Sequence, residues 1–281
     1  MEILHLTKYE FTKLAGIVYS LTGIHLKDSK RSLLVSRLSR RLRLLQVSSF
    51  QEYIQYLTSN AGQNEEIPEL INAITTNTTE FFREPVHFEY LKNLAPKLYE
   101  AGERNGRRVL RVWCSASSTG EEPYSIAMVL RNFFETKRGW KVQVLASDID
   151  TQVLQTASRG VYPAERTRAV PAVLRAKYLT TSLPGLPNGN VQVTPELRSM
   201  VLFRRINLIS DPFRFKEKID IVFCRNVVIY FDEEGKRKLV DKLTPILRNG
   251  GYIFVGHSES LLIHRDTFEF MGSTIYRRTN A

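Results

Sequence analysis

The sequence predicts an α/β fold with a mainly parallel sheet, preceded by an all-helical segment. Three observations carry this expectation. Apolar residues recur at helical spacing over roughly the first quarter of the chain. Beyond Gly106, short β-branched runs alternate with helical stretches. A polar run, Thr75 to Thr79, separates the two textures. With 281 residues, 43% hydrophobic and 25% charged, the chain can bury a substantial core and is long enough for two domains.

From Lys8 to about Glu69 the pattern is helical throughout. Leu34, Leu38, Leu42 and Leu45 fall on one face and form a core stripe. Lys30, Arg37, Arg40, Arg41 and Arg43 occupy the remaining arc. Between Lys27 and Arg43 seven basic residues stand against Asp28 alone. Such a face is either a solvated surface or a docking surface for an acidic helix. The Thr- and Asn-rich end of QNEEIPELINAITTNTT disfavours continued helix, which places a domain junction there and divides the chain into 1–74 and 75–281. Helical periodicity returns over Phe81 to Ala101, with Pro85 tolerated in a first turn.

The runs VLRVWC, VQVLAS, IDIVFC and GYIFVG read as strands buried on both faces, which is the signature of a parallel sheet with crossover helices. STIYRRT, from Ser273, can close the sheet. Between Tyr162 and Ser199 five prolines interrupt the alternation, and LPGLPNGNVQV reads as a turn followed by a strand. Either a small antiparallel insertion over about 162–199 or a long irregular connection accounts for it.

Ligands of open parallel sheets bind beyond the carboxyl ends of the strands. After VLRVWC come small residues and one glycine, then Glu121 and Glu122 at a helix start. Neither G-x-G-x-x-G nor G-x-x-x-x-G-K-[ST] occurs at this turn, and two glutamates would repel a pyrophosphate. A cationic or neutral ligand fits better, and S-adenosylmethionine meets that requirement. Asp148, ending the second strand, is either a helix cap or an acceptor for both ribose hydroxyls. A helix opening in TTNTTEFFREP would bring Asn77, Thr79 and Arg83 together, or use Asn77 or Thr78 only as its cap. After IDIVFC, Arg225 and Asn226 would line the pocket, with Tyr230 one turn later either packing in the core or joining the site.

Four blocks, TTNTTEFFREP, RVWCSASSTGEEPYSIAM, ASDID and FCRNVVIYFD, joined by a weaker GGYIFVGHSE, resemble the CheR-type chemotaxis receptor methyltransferases in order and approximate spacing along essentially the whole chain. The resemblance implies a Rossmann-like, S-adenosylmethionine-dependent methyltransferase domain with an N-terminal all-helical domain and a small antiparallel β-subdomain insertion. It implies that Asn77, Thr79, Arg83, Glu122, Asp148, Asn207, Leu208, Cys224 and Arg225 line the cofactor pocket, with Asp148 on the ribose. Arg83 and Tyr230 would stand near the transferred methyl group, and Arg37, Arg40 and Arg41 would meet the receptor's cytoplasmic domain. Some members resemble a clamp for a receptor C-terminal peptide in the insertion, a trait these residues do not assign.

The implied reaction gives glutamate methyl esters and S-adenosylhomocysteine. It is an in-line displacement that depends chiefly on placement, and a glutamate with an ordinary pKa of about 4.3 needs no general base near neutral pH. Two other classes fit parts of the sequence. The net charge of +11 would suit a nucleic-acid methyltransferase, although no N-P-P-Y motif is present and no nucleic-acid partner is expected. A non-catalytic S-adenosylmethionine-binding module would keep the pocket without the chemistry.

Cys114 and Cys224 end apolar runs, which argues against a disulfide framework. The histidines His5, His25, His87, His257 and His264 lack metal-ligand spacing, so no metal site is expected. No stretch approaches the roughly 20 apolar residues that cross a bilayer, and Met1 to Tyr9 lacks a signal-peptide centre. The expectation is a cytoplasmic monomer without membrane insertion.

Overall fold

The computed structural model describes residues 5–182, 184–259 and 266–279. His264, and Leu183 within the proline-rich stretch, lie outside the described residues.

The helical pattern before residue 75 resolves into α1 (Lys8–Thr22), α2 (Arg31–Leu44), α3 (Phe50–Thr58) and α4 (Asn60–Ile74). Local chemistry sets their ends. Thr7 and Glu10 form a reciprocal capping box at the start of α1, and Gly23, in the left-handed region, ends it. Ser49 and Ser59 cap α3 and α4. The stripe Leu34, Leu38 and Leu42 is fully buried against Leu14, Val18, Phe50, Tyr53 and Leu70. This small core is sealed at Glu66, only 1% exposed, which accepts the Tyr53 hydroxyl at 2.7 Å and pairs with Arg41 at 2.6 Å.

The chain then runs without helix from Thr75 until α5 (Pro85–Arg104), which starts with proline at its first position. The expected helix opening within TTNTTEFFREP is therefore not formed. Positive φ angles at Phe82 and Glu84 turn the backbone just before the helix.

Next come β1 (Val109–Cys114), α6 (Glu121–Phe134), β2 (Lys141–Asp148) and α7 (Thr151–Arg159). They are followed by β3 (Val161–Pro163), α8 (Ala172–Tyr178), β4 (Leu179–Thr180), β5 (Asn190–Val193) and the one-turn α9 (Pro195–Arg198). The chain ends in β6 (Val201–Arg205), β7 (Ile219–Cys224), α10 (Glu233–Ile246), β8 (Leu247–Val255), β9 (Phe268–Phe270) and β10 (Ile275–Arg278). Among the described residues the main sheet has seven strands in the order β6-β2-β1-β7-β8-β10-β9. The first five are mutually parallel, and β10 and β9 add antiparallel at one edge. The insertion is a separate three-stranded antiparallel sheet, β3-β5-β4, so the antiparallel alternative holds and the irregular one does not.

Both faces of the main sheet are covered. Leu110, Val112, Cys114, Ile221, Phe223 and Phe254 pack under α5 and α6, while Trp113, Val222, Cys224, Ile253 and Val255 pack under α10. Period-two alternation thus puts the two free cysteines on opposite sides of the sheet. The order reverses between β1 and β7, so their carboxyl ends flank a crevice at the switch point.

Candidate functional site

At that switch point lies a cavity of about 410 Å³, within the usual range for small-molecule sites. Its floor is built by strand ends. The Ser115 and Ser117 amides donate to Phe223 and Ser147 carbonyls at 2.9 and 2.8 Å, folding the loop after β1 across the ends of β7 and β2. Gly120, at φ 100°, turns this loop into α6, and an added Cβ would stand 2.7 Å from the Tyr162 hydroxyl and 2.9 Å from Ala157 Cβ. Only glycine fits there.

Asp148 ends β2 and is 9% exposed. Its two oxygens accept the Ser118 amide at 2.8 Å and the Asp150 amide at 3.0 Å. Burial nevertheless pushes its pKa up to about 6, against the downward pull of those amides. Asp150, not Asp148, caps α7, accepting the Gln152 amide at 2.8 Å and the Asn77 side-chain amide at 2.7 Å. Asn77 is thus fixed on the wall by a carboxylate, and its carbonyl accepts the Ser118 hydroxyl at 2.9 Å.

Arg225 follows β7 and is 3% exposed. It reaches Glu122 at 2.6 Å, Glu84 at 2.9 Å and the Arg83 carbonyl at 2.6 Å. Burial raises the Glu122 pKa while Arg225 opposes the rise; at Glu84 burial also pushes upward, but Arg225 and its hydrogen bonds hold the carboxyl below its ordinary value. Glu121 is paired with Arg166 at 2.7 Å. Both glutamates of the helix start are therefore matched by arginines, which offsets most of the repulsion they would exert on a pyrophosphate. The site's anionic character rests instead on Asp148, and the small side chains of Ser115 and Ala116 leave the backbone open to a ligand.

Asn77, Thr79, Arg83, Glu122, Asp148, Asn207, Leu208, Arg225, Asn226 and Tyr230 all border the cavity. Arg83 donates to the Thr78 carbonyl at 2.9 Å. The Asn207 amide is committed to structure, donating to the Leu21 carbonyl at 2.6 Å and accepting from the Ile209 amide at 2.9 Å. Cys224 does not border the cavity. It is fully buried in the layer beneath α10, where desolvation pushes its thiol up to about 12. Alternation along β7 turns it away from the site that its neighbour Arg225 enters.

The helical unit supplies a wall that sequence reasoning missed: Thr22, Ile24, His25, Lys27, Lys30, Leu33 and Arg37. Contacts that seat it include the Asn207–Leu21 bond, a 2.9 Å bond from the His25 amide to the Tyr230 carbonyl and a 2.9 Å bond from the Tyr19 hydroxyl to Asp232. Arg37 does not stand free on a docking face. It bonds the Ile74 carbonyl and, at 2.8 Å, the Thr76 hydroxyl. Arg41 is held by Glu66 and Glu69, acids supplied by α4 that counting along α2 could not reveal. Of the three arginines expected on the docking face, only Arg40 is exposed. The fold also gathers Glu84, His87 and His257 within 4.8 Å, a grouping invisible to local spacing. Burial holds His87 down at about 4, and its Nε2 lies 2.7 Å from the Ser273 carbonyl.

A mainly parallel sheet with antiparallel strands at one edge, and a cavity at the ends of β1, β2 and β7, form the arrangement of an S-adenosylmethionine-dependent methyltransferase domain. Residues 77–277 match the model described as "CheR methyltransferase, SAM binding domain", and residues 9–75 that described as "CheR methyltransferase, all-alpha domain". The chain belongs to the CheR methyltransferase family. It is 40% identical to a chemotaxis protein methyltransferase of Borreliella burgdorferi over 273 residues, 96% of this chain and 95% of that one. To chemotaxis protein methyltransferase 2 of Pseudomonas aeruginosa it is 41% identical over 97% of this chain and 94% of the relative. To the Escherichia coli chemotaxis protein methyltransferase it is 38% identical over 98% and 92%.

S-adenosylmethionine is the cofactor of this family's domain, and the cavity fits it: each Asp148 oxygen has accepted one amide and keeps a further lone pair. Among the described residues no helix is long and apolar enough to cross a membrane.

Proposed function

We propose that the protein methylates glutamate side chains in the cytoplasmic domains of chemoreceptors, forming methyl esters. In this reading residues 75–281 bind the cofactor and residues 1–74 dock the receptor. The observation that carries it is the shared cavity: the α/β unit contributes a floor with the Asp148 carboxylate, and the helical unit contributes a rim with Lys27 and Lys30, suited to an acidic acceptor.

When bound, S-adenosylmethionine supplies an electrophilic methyl carbon on a sulfonium. Asp148, Asn77, Thr79, Glu122, Leu208 and Arg225 would hold it, with Asn207 shaping the wall through its backbone-directed amide. Asp148 in its ionised form accepts hydroxyl hydrogen bonds. Arg83, attached only to the Thr78 carbonyl among the described residues, orients the acceptor carboxylate. Tyr230 narrows the cavity and offers a hydroxyl. No residue needs to act as general base, since the acceptor is already ionised near neutral pH. Arg40 is the docking contact that this surface best supports, on a monomer acting in the cytoplasm.

Labelled S-adenosylmethionine incubated with receptor cytoplasmic fragments should give base-labile label on the fragment. Base-stable label, or label appearing on nucleic acid instead, would overturn the reading.

A further inference from the structure

We infer that Glu259 is a positioning residue for methyl transfer: its buried carboxylate gathers the backbone amides of the turn after β7 and thereby sets the placement of Tyr230. The inference rests on the function proposed above, in which Tyr230 shapes the transfer cavity.

Glu259 is 5% exposed and stands four residues beyond β8. One oxygen accepts the Asn226 amide at 2.6 Å and the Gly256 amide at 2.8 Å, and the other accepts the Ile229 amide at 3.2 Å. A buried carboxylate that accepts several backbone N–H groups fixes where those amides lie, and so the course of the backbone.

The segment it holds is not self-supporting. Asn226 has φ 56°, the left-handed region that non-glycine residues seldom occupy, and the short 3-10 turn Val228–Tyr230 follows at once. With the Asn226 and Ile229 amides drawn back to Glu259, the residues of this turn, Asn226, Ile229 and Tyr230, stand on the cavity wall. The far end of the turn is pinned separately, where the Tyr230 carbonyl accepts the His25 amide at 2.9 Å. Tyr230 therefore hangs between two anchors, one in the helical unit and one at Glu259. Gly256 leaves room for the arrangement, because a Cβ there would stand 2.6 Å from both the Asn226 side-chain nitrogen and Glu259 Oε2. Nothing in this set touches Asp148, which lies across the cavity at the end of β2.

The test uses the full chain. Glu259→Ala would leave three backbone amides, that of Gly256 buried, without this acceptor and is expected to unfold the region, so the informative variant is Glu259→Gln. Its amide oxygen can keep the Asn226 and Gly256 bonds, whereas its NH2 group meets the Ile229 N–H donor to donor and displaces the turn. Wild-type methyl-ester formation is measured first; its absence overturns the proposed function and this inference with it. With the wild type active and the variant folded by circular dichroism, kcat at saturating cofactor should fall at least ~tenfold, while calorimetric cofactor affinity changes less than ~threefold. In a Tyr230→Phe background the same substitution should cost a clearly smaller factor, because the two residues act through one geometry. An unchanged kcat, a parallel loss of cofactor affinity, or an equal cost in both backgrounds would overturn the inference while leaving the proposed function intact.

Discussion

Asp148 carries the most specific expectation at the scale of single residues. Its folded pKa of about 6 lies above the ordinary aspartate value because burial disfavours its charge. If the ionised form binds the cofactor, affinity should be full above that value and fall as pH drops through it. Calorimetry at pH 7.5 and at pH 5 should show the loss, and Asp148→Asn should bind weakly with little dependence on pH. Asp148→Ala should weaken binding on the order of tenfold to a hundredfold, the scale of one charge-assisted hydrogen bond. Unaltered affinity would remove the ribose assignment. Arg83→Ala should instead leave cofactor binding nearly intact and lower turnover at saturating cofactor by on the order of tenfold or more. The sequence made these residues visible because each sits in a short distinctive block, Asp148 at a strand end and Arg83 just before α5. Cys224 shares such a block with Arg225, and what separates them is a side-chain alternation that places one on the cavity and the other in the core.

Among the elements, α2 divides its basic residues between structure and surface. Arg41→Ala would strand Glu66, 1% exposed and bonded to Tyr53, and should cost about 3 kcal/mol in urea unfolding. Arg40→Ala, at an exposed position, should leave stability within about 0.5 kcal/mol and instead raise the KM for receptor fragments. The reverse pattern would remove Arg40 from the docking surface. The loop into α6 offers a backbone counterpart: Gly120→Ala combines φ 100° with a blocked Cβ and should destabilise by on the order of 2 kcal/mol, read as a lowered thermal midpoint.

Element type was readable wherever periodicity was strong, as in α2, β1 and β7. It failed at Val201–Arg205, an edge strand whose apolar run stops at Phe203 and gives way to the exposed Arg204 and Arg205. It also failed over Thr75–Glu84, where Asn77, Thr79 and Arg83 share a wall through an irregular segment tied to Asp150 and Ser118 rather than through a helix face.

For the whole molecule, the site is a property of two units meeting. Strand order places the floor at the switch point, and that much follows from the parallel pattern. The wall from Thr22 to Arg37 follows only from how the helical unit seats against Asn207 and Tyr230, through contacts spanning some two hundred positions of sequence that no local motif encodes. The same packing explains why the basic excess counted along α2 overstated its free charge, since Glu66 and Glu69 return from α4 to meet Arg41.

The central claim is that this two-unit cavity delivers a methyl group to a glutamate carboxylate. Tandem mass spectrometry of receptor cytoplasmic fragments after incubation with the protein and S-adenosylmethionine tests it most directly. The account predicts methyl esters on glutamate side chains, formed more slowly by the Arg83→Ala protein and, at limiting cofactor, by the Asp148→Ala protein. Methylation confined to nitrogen-bearing side chains, or fragments left unmodified while the cofactor is bound, would contradict it.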